Sequence, residues 1–134
     1  MVLRQLEIKS RTRTEFIDIT AEVQEVVRNA GIRSGVCYLS VMHTTAGITV
    51  NEGADPAVQR DIITSLNKLI PADFYYTHAE GNSDAHIKSS LIGTSQTLLI
   101  DAGRLVLGTW QALYLCEFDG PRPRQIAIKL VPDP

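Results

Sequence analysis

The chain has 134 residues, of which 44% are hydrophobic and 21% are charged. This is the size and composition of one globular domain, and it excludes extended disorder. The 13 Lys and Arg against 15 Asp and Glu give a formal charge of -2, which excludes a strongly basic nucleic-acid binder. Apolar runs are short and no signal-peptide pattern is present. We therefore expect one domain over 1–134, in the cytoplasm, with neither nucleic acid nor membrane as a partner.

Hydrophobic periodicity predicts the elements of the first half of the chain. Period-two alternation over 2–9 and an apolar run over 15–19 predict two strands that form a hairpin. Apolar residues at helical spacing predict a first helix over 21–30. The β-branched stretch over 35–50 predicts either two strands joined by a turn or one strand broken by a bulge at Gly47.

Capping residues predict where the first two helices begin and end. Thr20 is expected to be the N-cap of the first helix, and Gly31 is expected to end it in a left-handed conformation. Asp55 and Pro56 have the order of an N-cap and a first helical residue. The second helix is then the longest, and it ends before Pro71.

The second half begins with the longest irregular stretch, 71–84, which is followed by a short helix over 85–92. Three strands follow, over 97–100, 109–118 and 125–131. Strands dominate and do not alternate regularly with helices. This order predicts an α+β fold with mainly antiparallel sheets, two main helices and a short third helix.

Both cysteines, Cys37 and Cys116, lie inside apolar, strand-like runs. We expect them to be reduced and buried, since disulfides are rare in the cytoplasm. Two cysteines are also too few for a cysteine-based zinc site.

All three histidines are candidates for chemistry. His43 follows a predicted strand in VMHTTAG, and His78 and His86 bracket the polar segment HAEGNSDAH. Imidazole is the commonest transition-metal ligand, and three converging imidazoles would form an open zinc-type site. This convergence requires the loop to fold back on itself. The alternative is that each histidine is an ordinary surface or core residue.

Polar residues beside these histidines suit an anion. Asn82 or Ser83 is expected to cap the short helix, whose N-terminus suits a phosphate, and Ser89 lies further along it. Glu52, between a strand and a helix, is a general base, a metal ligand or a favourable charge at the helix N-terminus. Gln111 is expected to face a ligand or another chain, whereas its neighbour Trp110 is expected in the core.

Three segments carry a specific resemblance: HTTAGITVNEGADPAVQRDI, HAEGNSDAHIKSSLIG and GRLVLGTWQALYLCEFDGPRPRQI. They resemble the signature regions of the YjbQ family, which is also called secondary thiamine-phosphate synthase. The resemblance implies a sandwich-like α+β fold that assembles as a homotrimer. It also implies a site that collects His43, His78 and His86, with Glu52, Asn82 and Glu117 nearby.

The family name implies an enzyme that joins a pyrimidine pyrophosphate to a thiazole phosphate and releases pyrophosphate. The expected catalytic residues are His43, Glu52, His78, His86 and Glu117, and the expected substrate-binding residues are Asn82, Ser89, Arg104, Gln111 and Arg122. Lys88 is a further cation that would neutralise pyrophosphate.

Two versions of the chemistry stay open. Either the three histidines bind zinc while magnesium arrives with pyrophosphate, or they act as acid and base without a metal. Two other functions compete with the transferase. One is a metal-dependent hydrolase with Glu52 or Glu117 as base, and the other is a non-enzymatic trimer that binds a phosphorylated metabolite or a metal.

Overall fold

The computed structural model describes residues 2–134, which form three helices and eight strands. In chain order these are β1 (Val2–Lys9), β2 (Glu15–Asp18), α1 (Thr20–Ala30), β3 (Gly35–Val41), β4 (Ala46–Glu52), α2 (Pro56–Leu69), α3 (Ser83–Ile92), β5 (Ser95–Asp101), β6 (Arg104–Leu105), β7 (Gln111–Glu117) and β8 (Pro123–Pro132). None of the described helices is long and apolar enough to cross a membrane.

The strands form two antiparallel sheets that face each other. One sheet has five strands in the order β1-β8-β3-β5-β6, and the other has three in the order β2-β7-β4. Their inner faces and α1 enclose the main core, which includes Val23, Leu39, Ile48, Leu115 and Ile128. The fold is α+β and sandwich-like, as predicted.

The two outer faces of the sandwich differ. A second apolar cluster covers the outside of the three-stranded sheet and joins Tyr114 and Phe118 of that side to Leu66 of α2 and Ala85 of α3. On the five-stranded sheet, Leu3, Tyr38 and Leu99 are exposed large apolar residues. No helix among residues 2–134 covers them, so this face is open in the single chain.

The predicted hairpin between the first two strands is wrong. β1 pairs with β8 in the five-stranded sheet, and β2 pairs with β7 in the three-stranded sheet. The polar link between them crosses from one sheet to the other. It is held by the Glu15 carboxylate, which accepts hydrogen bonds from the backbone N–H groups of Arg11 and Thr12. Each strand therefore finds its partner far away in sequence.

The stretch 35–50 contains two strands, one in each sheet, and the break falls at 42–45 rather than at Gly47. Gly47 lies inside β4, where a Cβ atom would be 2.7 Å from the carbonyl oxygen of Gly93. Glycine is required there because the end of α3 packs directly against the strand.

The capping predictions have different outcomes. Asp55 is the N-cap of α2 and accepts a hydrogen bond of 2.9 Å from the Ala57 N–H, and Gly31 ends α1 with φ 70°. Thr20 is not the N-cap of α1, since the helix already includes it. Its hydroxyl instead donates to Asp18 and accepts from the Leu113 N–H, which ties α1 to β7.

Trp110 is not in the core, because 65% of it is exposed in the turn before β7. The cysteines are as predicted: Cys37 and Cys116 are free and buried. Burial raises the pKa of the Cys37 thiol to about 12, so it is not a nucleophile at neutral pH.

Candidate functional site

The loop before α3 folds back so that His78 meets His86 of the first turns of that helix. Their ring centroids are 5.3 Å apart and the rings are nearly perpendicular. Gly81, with φ 79°, makes the reversal between them. Glu80 is beside the pair, with Oε2 3.6 Å from Nε2 of His78. His78 and Glu80 are exposed and His86 is half-buried, so the pair is open to solvent.

A polar bridge next to this pair connects α3 to the turn after β7. The Asn82 side-chain amide donates a 2.8 Å hydrogen bond to Oδ2 of Asp119, and the Arg122 guanidinium donates to the carbonyl and carboxylate of the same residue. Oδ1 of Asn82 is buried and accepts no hydrogen bond from residues 2–134. We call His78, His86, Asn82, Asp119 and Arg122 the histidine end.

His43 lies at the same end of the sandwich, just after β3, and its ring is already engaged. Its Nε2 accepts a 2.9 Å hydrogen bond from the backbone N–H of Gln125. Partial burial, together with the positive charge of Arg124, lowers its pKa below the usual value for histidine. The ring is therefore neutral at pH 7, with its proton on Nδ1.

These contacts do not fit the predicted three-histidine metal site within one chain. Among residues 2–134, no three His, Cys, Asp or Glu side chains are close enough together to hold a metal ion. Nε2 of His43 is used by Gln125, and its Nδ1 carries the proton, so neither nitrogen offers a free lone pair. Only His78 and His86 come together, and two imidazoles are fewer than the three protein ligands of a catalytic zinc site.

Glu117 has a structural role in place of the predicted role as a base. It is completely buried and forms an ion pair with Arg124, which is 1% exposed. Its carboxylate also accepts hydrogen bonds from the Ser10 hydroxyl and the Asp119 N–H. Burial raises its pKa, but the hydrogen bonds from Arg124, Ser10 and Asp119 outweigh this and hold the pKa below the usual value. No lone pair is left for a substrate proton.

Ser89 and Lys88, which were predicted to contact the substrate, also use their polar groups inside the protein. The buried Ser89 hydroxyl donates a 2.6 Å hydrogen bond to the carbonyl of Thr44, which ties α3 to the link between β3 and β4. The Lys88 ammonium is buried and bonds to Asp84 and Asn67. Neither side chain is free to bind pyrophosphate in this arrangement.

Three predicted site residues lie at the end of the sandwich opposite the histidine end: Glu52, Gln111 and Arg104. The β4–β7 register pairs Ala46 with Glu117 but Glu52 with Gln111, which places the second pair six residues, about 20 Å, further along the strands. Gln111 accepts a hydrogen bond from the Gly108 N–H, and Glu52 accepts one from the Ala54 N–H. Arg104 lies on β6 beside α1.

Two residues that hold elements of this end together were not predicted from the sequence. Asp119 joins Asn82 to Arg122, and Arg13 donates to the buried carboxylate of Asp84 in α3. Asp119 was present in the EFDGPR segment, but its position before Gly120 is typical of a turn. Arg13 lies in a polar link and carries no local signal.

Comparison with known proteins gives a consistent relationship over nearly the whole chain. Residues 4–133 match the family described as "UPF0047 protein YjbQ-like". The chain is 48% identical to UPF0047 protein MJ1081 of Methanocaldococcus jannaschii over 98% of its own length and 96% of the relative's. It is 47% identical to UPF0047 protein YugU of Bacillus subtilis, over 97% and 99%.

Solved structures agree with this relationship. A crystal structure described as an uncharacterized YjbQ/UPF0047 protein from Clostridium acetobutylicum has a TM-score of 0.93 and 48% identity, covering 96% of this chain and 99% of that one. Hypothetical protein APE1520 of Aeropyrum pernix has a TM-score of 0.94 and 32% identity, covering 99% and 100%.

Proposed function

The chain belongs to the UPF0047 (YjbQ-like) family, and we propose that its histidine end is the active site of an enzyme that acts on a phosphorylated small molecule. The observation that carries the proposal is the contact between His78 and His86. Two imidazoles at this distance, open to solvent, form an acid–base pair: one ring accepts a proton while its neighbour donates one.

The surroundings of the pair favour an anionic group. Arg122 is half-exposed, and its guanidinium is held in place by Asp119. The N-terminus of the ten-residue helix α3 lies between the two histidines in sequence and points its partial positive charge to this end. The Asn82 side-chain amide is fixed by the same Asp119, which holds the start of α3 against the turn that carries Arg122.

The specific reaction that we propose follows the family resemblance, a thiamine-phosphate synthase-like transfer. The thiazole nitrogen of one substrate attacks the methylene carbon of the pyrimidine pyrophosphate. A carbon–nitrogen bond forms, the carbon–oxygen bond breaks, and its electron pair leaves with pyrophosphate. One ring of the His78–His86 pair would act as the acid and donate a proton to the departing pyrophosphate, and Arg122 would donate hydrogen bonds to its oxygens, where negative charge grows.

No step of this proposal is routed through a protein-bound metal, because the donor set does not fit the predicted zinc site. Magnesium prefers oxygen ligands, so it enters only as a counter-ion of the substrate's pyrophosphate.

A hydrolase is the second candidate, and the contact between Glu80 and His78 favours it. Glu80 lies beside the ring and would help to orient it while His78 takes a proton from an attacking water. In this version His86 would donate a proton to the leaving group.

We further propose that the chain assembles as a homotrimer and that it acts in the cytoplasm. The open face of the five-stranded sheet supports assembly, because Leu3, Tyr38 and Leu99 leave a large apolar area uncovered in one chain. A trimer would also let the distant pair Glu52 and Gln111 approach the histidine end of another copy. The sedimentation mass of the purified protein checks this, with a monomer contradicting it.

The test of function is an assay with both phosphorylated halves and magnesium, measuring thiamine phosphate and pyrophosphate. His78→Ala and His86→Ala should each abolish most of the turnover. Tyr75→Ala is the matched control, since it alters a fully exposed residue of the same loop. Phosphate release from either half alone would favour the hydrolase. Binding in calorimetry with no turnover would leave the non-enzymatic trimer, and background activity equal in all variants would remove the transferase.

A further inference from the structure

Three arginines gather at the end of the sandwich opposite the histidine end. Arg28, Arg33 and Arg104 line a cleft of about 530 Å³ between α1 and the β5–β6 turn. No Asp or Glu is among the described residues that line it. Because the chain as a whole has a formal charge of -2, this cleft is a local concentration of positive charge on an acidic protein.

Hydrogen bonds to backbone groups, two of them with the Gln24 side chain, hold the walls of the cleft in place. The Gly103 N–H donates to the carbonyl of Arg33, and the Gln24 side-chain amide donates to the carbonyl of Gly103. The Gln24 carbonyl oxygen accepts from the Leu105 N–H in return. The turn that carries Arg104 is thus bound both to α1 and to the segment that carries Arg33, so the backbone positions of these two arginines do not depend on a ligand.

A second groove adjoins the first and is chemically different. Arg104 and Gln24 line both, and the second groove, of about 550 Å³, continues along Ala21, Leu105 and Leu107. Its only described acidic lining residue is Asp18, whose Oδ1 already accepts hydrogen bonds from the Thr20 N–H and hydroxyl. The two grooves together present guanidinium groups at one side and an apolar wall at the other.

We propose that this double groove is a second binding site, which takes a small organic phosphate. The phosphate group lies between Arg33 and Arg104, since guanidinium groups match phosphate oxygens with paired hydrogen bonds. Arg28, the third arginine of the cleft, is paired with Glu25. The apolar or aromatic body of the ligand lies along Leu105 and Leu107.

The site is separate from the histidine end within one chain. Arg33 lies two residues before β3 and His43 lies two residues after it, and the length of that strand puts about 20 Å between its two ends. A phosphate held by the arginines therefore does not react at His78 or His86 of the same chain. The site binds an effector or a second metabolite, and it does not rest on the proposed function.

Titration calorimetry with inorganic pyrophosphate, in a His78→Ala/His86→Ala background, tests the arginine half. This background weakens the binding expected at the histidine end and is shared by all the variants compared, so that a difference between them comes from the added substitutions. Adding Arg33→Gln and Arg104→Gln should weaken binding at least about tenfold, as expected when two charge-assisted contacts are lost. Adding Arg4→Gln and Arg60→Gln removes the same charge from exposed positions elsewhere and should leave the affinity unchanged.

Equal weakening in the two quadruple variants would overturn the proposal, because it would show an effect of net charge alone. An absence of pyrophosphate binding in the background would overturn it as well. The apolar half is tested with phenyl phosphate, which should bind more tightly than inorganic phosphate and lose that advantage in Leu107→Ala. Equal affinities for the two probes in the unsubstituted groove would contradict a two-part ligand.

Discussion

The two ends of the sandwich hold their charged groups in different ways. At the histidine end, Asp119 is bonded to both Asn82 and Arg122, and beside it Glu117 and Arg124 are buried together. At the other end, Arg33 and Arg104 are exposed and only their backbone is fixed. The first arrangement suits chemistry that needs groups in set positions, whereas the second suits reversible capture of an anion from solvent.

The largest expected difference between the ends is in stability. Glu117→Gln leaves Arg124 charged and buried without its carboxylate, so we expect the free energy of unfolding to fall by about 3–5 kcal/mol. Urea denaturation measures this. Glu117→Leu/Arg124→Met removes both charges and should cost less than Glu117→Gln alone. A loss below about 1 kcal/mol in the single variant would contradict a structural role for the pair.

A smaller effect is expected in the pH dependence of stability. The pKa of His43 is lowered in the folded protein, so the unfolded chain binds more protons as pH falls through the ordinary histidine range. The lowered pKa of Glu117 acts in the same direction at more acidic pH. Stability should therefore decrease from pH 7 downward.

His43→Gln should flatten the decrease in the histidine range and leave the carboxylate part at lower pH. Urea midpoints across the pH range, compared with a His78→Gln control, measure the change. An unchanged profile in His43→Gln would contradict the lowering of the His43 pKa by burial and by the positive charge of Arg124.

The smallest effect is expected near the arginine cleft. Arg28 pairs with Glu25 on the surface of α1, and exposed pairs of this kind contribute about 0–1 kcal/mol. Glu25→Ala should change the urea midpoint little, and it should leave Arg28 free to bind phosphate. A loss of stability comparable to that of Glu117→Gln would remove the contrast between the two ends.

Features that depend on neighbours along the chain could be predicted from the sequence. Alternation located β7 and β8, and the Asp55–Pro56 pair located the start of α2. The hairpin prediction failed because strand partners are chosen by packing between distant segments. The prediction that Trp110 lies in the core was wrong. It rested on the general preference of tryptophan for buried positions, but the turn before β7 keeps this residue exposed.

The site was predictable to the same extent. His78 and His86 belong to one segment, and a fold-back at Gly81 is enough to join them. The hydrogen bond that engages the His43 ring comes from Gln125, which is 82 residues away, and no pattern near His43 predicts this contact. Glu117 has the side chain of a catalytic base, yet its partners Ser10 and Arg124 belong to other segments of the chain. Residue type alone does not distinguish a buried structural carboxylate from a catalytic one.

The proposed function depends on acid–base catalysis by the His78–His86 pair on a phosphorylated substrate. The most direct measurement is the pH profile of kcat/KM for whichever reaction the assay reveals, in the wild type, His86→Gln and Tyr75→Ala. We expect a bell-shaped profile in the wild type and in Tyr75→Ala. In His86→Gln we expect the loss of one limb and a rate lower by about 10²–10⁴-fold. A bell that persists in His86→Gln at an unchanged rate would contradict acid–base catalysis by this pair.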